Sequence, residues 1–141
     1  MEDKIRHLEM IQSVINRLAG NSFMLKGWSI TLVAALFALA APDTDIVFVC
    51  LAYIPAGMFW ALDGYFLWQE QLFRDLYEDV RLRDEGEIDF SMDTGRFTER
   101  RSYSRAVLSK TLIPFHGVLI VAIIIVMFLG LAAIQGASNA T

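Results

Sequence analysis

Three ionisable residues stand inside long apolar stretches of this chain: Lys26, Asp63 and His116. Counted from the opposite ends of those stretches, at Ala41, Ile46 and Gln135, they lie roughly 15, 17 and 19 positions inward. At about 1.5 Å per helical residue, their depths differ by only ~6 Å. An ammonium, a carboxylate and an imidazole at one depth are costly in lipid unless they pair or meet water. Two kinds of chemistry follow. A Lys26–Asp63 pair would staple two helices together. A polar ring formed by all three would make the mouth of a pore or a proton-sensitive gate, with His116 supplying pH sensitivity because imidazole changes charge in the physiological range.

Other reactive constellations are missing from the sequence. It has no nucleophile elbow, no phosphate-cradling glycine loop and no metal-ligand spacing, and His7 and His116 are its two histidines. Cys50 is the single cysteine, so an intrachain disulfide and a cysteine-based metal site are both excluded. Within an apolar stretch it is expected to act as a small core side chain. The acidic positions Asp84, Glu85, Glu87, Asp89 and Asp93 lack the spacing and glycine of a calcium loop. The expectation is a non-enzymatic protein with no cofactor, no metal and no nucleic-acid partner.

The elements that must position the polar set are membrane helices. Of the 141 residues 55% are hydrophobic, mean hydropathy is +0.45 and the formal charge is −4. Three stretches, residues 23–41, 46–68 and 111–135, approach or exceed the ~20 residues needed to cross about 30 Å of hydrocarbon. In the first, Lys26 reaches the required length by snorkelling. All 12 Lys and Arg residues fall in residues 1–26 and 69–110, and none in the link 42–45 or the tail 136–141. Basic residues accumulate on the cytoplasmic side, so the sequence predicts an all-α membrane protein of three transmembrane helices, N-terminus inside and C-terminus outside. The N-terminal segment is too polar for a cleaved secretory signal, and the first span is expected to be a retained signal-anchor.

Around these spans the sequence predicts accessory elements within one membrane domain, residues 1–141. Residues 1–20 form a cytoplasmic amphipathic helix, with Ile5, Leu8, Ile11, Val14, Ile15 and Leu18 on one face. That helix packs on its own protein or lies in the membrane interface. Gly20 and Asn21 suit its end, and Ser22 suits the cap of the next helix. The link around Pro42 makes a tight hairpin, and Pro55 should kink the second span. That span continues to about Arg83 as a cytoplasmic helix, followed by an acidic loop over residues 83–101. The segment 69–110 is thus a helix and loop open to a cytoplasmic protein partner.

Three further groups bear on assembly. Ala34 with Ala38, Gly57 with Ala61, and Ala132 with Gly136 have the small-xxx-small spacing that lets helices approach closely in lipid. Arg100, Arg101, Arg105 and Lys110 precede the third span and suit anionic lipid headgroups. Trp28, Trp60, Tyr65, Phe66 and Trp68 gather toward the inner interface.

The string Trp60-Ala61-Leu62-Asp63-Gly64-Tyr65-Phe66-Leu67-Trp68, continuing through Phe73-Arg74-Asp75-Leu76-Tyr77, resembles small bacterial membrane proteins, as do residues 23–28 and 89–94. A hairpin with a cytoplasmic helical extension, over residues 20–85, is similar to SLATT-type proteins. That resemblance implies a membrane-perturbing or pore-forming effector of anti-phage defence. The expected function is therefore a bacterial inner-membrane protein that forms a homo-oligomer and permeabilises the membrane, because three helices cannot enclose a channel. The alternative is a small anchoring or sensing subunit of a larger membrane complex, without pore activity.

Overall fold

The computed structural model describes residues 2–40 and 46–139. Among them there is no strand, and three helices are long and apolar enough to cross a membrane. α1 runs over Glu2–Ala40, α2 over Ile46–Leu51 and α3 over Tyr53–Leu82; α4 is the short Tyr103–Val107, and α5 spans Leu112–Ser138. The tight turn expected over residues 42–45 lies outside the described residues.

α1 corrects one expectation. Its 39 residues form one uninterrupted helix, about 58 Å long, with no end at Gly20 and Asn21. Glycine inside a helix costs about 1 kcal/mol and asparagine less. Burial on both sides of that point outweighs the cost, since Ile11 and Ile15 are buried below it and Val33 and Ala40 above it. Ser22 consequently caps nothing and turns its hydroxyl inward.

The second long helix keeps its predicted extent, with a break. α2 ends at Leu51 and α3 resumes at Tyr53. Pro55 is the cause: its ring clashes with the carbonyl four residues back, at Leu51, and it offers no N–H. The chain bridges the break with Ala52 N–H to the Val49 carbonyl and Ala56 N–H to the Ala52 carbonyl. α3 has 30 residues, and both it and α1 exceed the length of a span. Their excess lies at the same end, where they pair as an antiparallel arm.

Two apolar cores result. In the arm, Ile11 and Ile15 of α1 meet Leu72, Leu76 and Val80 of α3 and Phe97 of the following loop. In the apolar bundle, Val33 and Ala40 meet Val49, Ala52, Ala56 and Ile123 of α5. Small side chains make this second core possible, but not the predicted ones. Ala34, Ala38, Gly57, Ala61, Ala132 and Gly136 all face outward, whereas Ala40, Ala52 and Ala56 are buried. Cys50 is also exposed rather than part of the core.

The loop after α3 is more ordered than its acidic composition suggests. Short 3-10 turns cover Glu85–Glu87 and Gly95–Phe97. Asp89 and Asp93 accept the backbone N–H groups of Ser91 and Gly95, so these carboxylates build turns. Arg83 and Arg96 both reach Asp79. Phe90 holds a left-handed backbone at φ 54°, a strained position for an aromatic residue.

Candidate functional site

Between the two cores lies a polar hub, and it contains all three residues singled out by depth. Asp63 of α3 has no exposed surface. Its Oδ2 is 2.5 Å from Lys26 Nζ of α1 and 3.0 Å from His116 Nε2 of α5. Its Oδ1 accepts the hydroxyl of Ser22. Lys26 also donates to Ser22 Oγ at 2.9 Å, which closes a small ring of hydrogen bonds. One carboxylate therefore ties together the three long helices.

Helical spacing explains why the hub forms. Ser22, Lys26, Ser29 and Val33 recur every three or four residues on the inward face of α1, as do Ala56, Trp60 and Asp63 on α3. His116 sits one turn beyond buried Leu112 and two turns before buried Ile123 on α5. Its ring stacks on Trp60, with centroids 5.6 Å apart and planes 7° from parallel. The Phe115 ring meets His116 edge-on at 5.0 Å and receives Lys26 Nζ at 5.9 Å from its centre.

Since a carboxylate only accepts, His116 Nε2 carries the hydrogen. Nδ1 is buried and has no hydrogen-bond partner among the described residues, and the same holds for the hydroxyl of Ser29. Ser22 beside Lys26 has the residue types of a nucleophile and its base. The ammonium, however, donates to Ser22 and pairs with Asp63, leaving no lone pair to take a proton. Chemically, this arrangement locks helices together.

A strap covers the hub's side of α3. Trp60 Nε1 donates to the Val107 carbonyl at 3.0 Å and Trp68 Nε1 to that of Arg101 at 2.7 Å, while Tyr103 Oη donates to the Ala61 carbonyl at 2.9 Å. Of the five aromatic residues expected at the interface, Trp60 and Trp68 thus hold α4 and its approach, whereas Trp28 and Tyr65 are exposed. Gly64 permits the contact: a Cβ there would run into the Val107 side chain and lie 3.2 Å from its Cα. Gly64→Ala is expected to lower stability by about 1–3 kcal/mol through overpacking, read as an earlier thermal melt in detergent.

The predicted headgroup cluster divides. Arg101 is engaged, with Nη2 and Nε each 2.7 Å from the two oxygens of Asp75. Arg100, Arg105 and Lys110 are exposed and form no ion pair within 4 Å among the described residues. The Arg101 hydrogen bonds hold the Asp75 carboxyl below the usual carboxylate range, against an opposing effect of burial. A depressed carboxylate contributes stability that is present above the ordinary carboxylate value and lost as pH falls through the folded one. Arg101→Gln is therefore expected to cost up to about 1 kcal/mol at neutral pH, where the pair is intact, and to flatten the acid limb below about pH 4, where variant and wild type converge. Melting temperature against pH checks this.

Sequence reasoning missed His7. It is fully buried, its Nε2 lies 3.1 Å from the Ser91 carbonyl, and its ring packs on Phe90 at 5.4 Å. Lys4 Nζ donates to the Arg83 carbonyl at 2.7 Å. Together they pin the loop to α1. The signal was its place on the Ile11–Ile15 face, four residues before Ile11. No metal-sized group of His, Cys, Asp and Glu occurs among the described residues. Comparison with known proteins finds no family model, no curated protein and no solved structure that matches the chain.

Proposed function

We propose that this chain is a multi-pass protein of the bacterial inner membrane, N-terminus inside and C-terminus outside, that anchors a helical arm on the cytoplasmic face and is not an enzyme. The hub acts as a staple: it locks α1, α3 and α5 at the base of the arm, so that a cytoplasmic partner docking on residues 69–110 meets a rigid platform. The observation that carries this reading is the closure of the hub inside one chain. Asp63 and His116 have no more than 1% exposure. A pore-lining ring needs its polar groups open to water. Beyond the hub, residues 33–40 and 117–134 present almost no polar side chain, so an assembly of these helices would enclose an apolar, dewetted passage.

A second reading, the permeabilising homo-oligomer of anti-phage defence, is favoured by one observation. The six small residues singled out for small-xxx-small spacing, Ala34, Ala38, Gly57, Ala61, Ala132 and Gly136, are outward, where they are free to pack another copy. In that reading the hub is the closed state of a gate, and opening it exposes Lys26, Asp63 and His116. Dye release from liposomes separates the two. The anchor reading expects no release by the wild-type protein at high density. Release that rises steeply with protein density overturns it in favour of the effector.

A further inference from the structure

α1 and α5 each pack on α2 and α3 but scarcely on one another. The gap between them is a groove of about 430 Å³, bounded by Ile30 of α1 and by Pro114, Phe115, Val118, Leu119 and Ala122 of α5. Every lining side chain is apolar. From residue 114 to residue 122 the groove runs about 12 Å, close to the ~15 Å half-thickness of a hydrocarbon core. One acyl chain of one leaflet fits that length.

The mouth of the groove is cationic. Phe115, which forms the wall at the hub end, carries Lys26 Nζ 5.9 Å from its ring centre. An ammonium has three protons to donate. Asp63 and Ser22 take two, and the Lys26 side chain keeps 21% of its surface exposed. Exposed Lys110 stands in the turn that leads into α5, four residues before Pro114 in the chain. A second copy of this chain would bring only apolar helix faces to the groove and offer no acceptor to exposed Lys110 or to the third proton of Lys26. A phosphate attached to an acyl chain answers both parts.

We infer that the α1/α5 groove binds an anionic phospholipid, with an acyl chain along Ile30, Val118 and Ala122 and the phosphate on Lys26 and Lys110. The assignment rests on the three-span reading, and the lipid comes from the leaflet on the arm's side.

Native mass spectrometry of the full chain in uncharged detergent tests this, using phosphatidylglycerol and phosphatidylcholine with identical acyl chains. The wild-type chain should retain one phosphatidylglycerol, favoured by about tenfold over phosphatidylcholine, and free glycerol phosphate should not displace it. Val118→Trp fills the groove from its rim and should reduce retention of both lipids. Val121→Trp lies outside the lining and should change neither. Both positions are exposed, at 72% and 53%, so neither substitution removes internal packing. Lys110→Gln should narrow the preference between the two lipids. No retained lipid, no preference between headgroups, or wild-type retention by Val118→Trp overturns the inference. Release of the chain from membranes by alkaline wash without detergent would instead overturn the three-span reading itself.

Discussion

Asp63→Ala is expected to destabilise the folded chain by about 3–5 kcal/mol, the range for removing one partner of a buried charge pair. The loss is large because three groups are orphaned together. Lys26 loses its carboxylate partner, while Ser22 and His116 Nε2 lose their acceptor. Unfolding of the purified protein in detergent measures it. The pair's own net worth is much smaller, because taking a carboxylate and an ammonium out of water nearly offsets their attraction. Lys26→Met combined with Asp63→Leu should therefore recover the part of the loss owed to the stranded ammonium, leaving that of the unpartnered Ser22 hydroxyl and His116 Nε2. A single substitution that changes stability by less than about 1 kcal/mol would mean that the hub is not closed as described.

Leu76→Ala carries the second large effect, about 2–5 kcal/mol from a buried side chain replaced by a cavity. Leu76 is 1% exposed and packs with Ile11, Ile15 and Phe97 in the arm. The arm core and the bundle core share no buried residue. The damage should accordingly stay local. Hydrogen exchange is expected to accelerate at residues 5–18 and 72–82 and to stay slow at residues 118–130. Equal acceleration in both regions would show one cooperative unit instead of two cores joined by a hub.

Much of this architecture was legible because bilayer-length apolar runs are a strong signal. The stretch read as a third span over residues 111–135 is the helix Leu112–Ser138, and the helix read from Ile46 to about Arg83 ends at Leu82. Lys26, Asp63 and His116 could be brought together by counting depth alone, since straight helices conserve rise per residue. Local end signals were less dependable. Gly20, Asn21 and Ser22 read as a helix boundary, yet tertiary burial on either side carries α1 straight through them. That error hid Ser22 as the fourth member of the hub. Small-residue spacing left the face open: it marks where helices are able to approach, not which face does so. Gly57 and Ala61 turn outward, while Ala52 and Ala56, with the same spacing, fill the core. The strap of residues 101–107 was illegible because its anchors are indole and phenol donors seeking backbone carbonyls, a pairing without a sequence period.

An anchored platform for a cytoplasmic partner requires the arm to lie on the cytoplasmic side of the membrane. Single-cysteine chains made with Cys50→Ser, one carrying Glu78→Cys in the arm and one Asn139→Cys beyond the last span, can be labelled in intact spheroplasts with a membrane-impermeant maleimide. The prediction is that the position-139 thiol reacts at once and the position-78 thiol reacts only after the membrane is opened. Reaction at position 78 in intact spheroplasts, with position 139 protected, would reverse the topology and contradict the cytoplasmic arm.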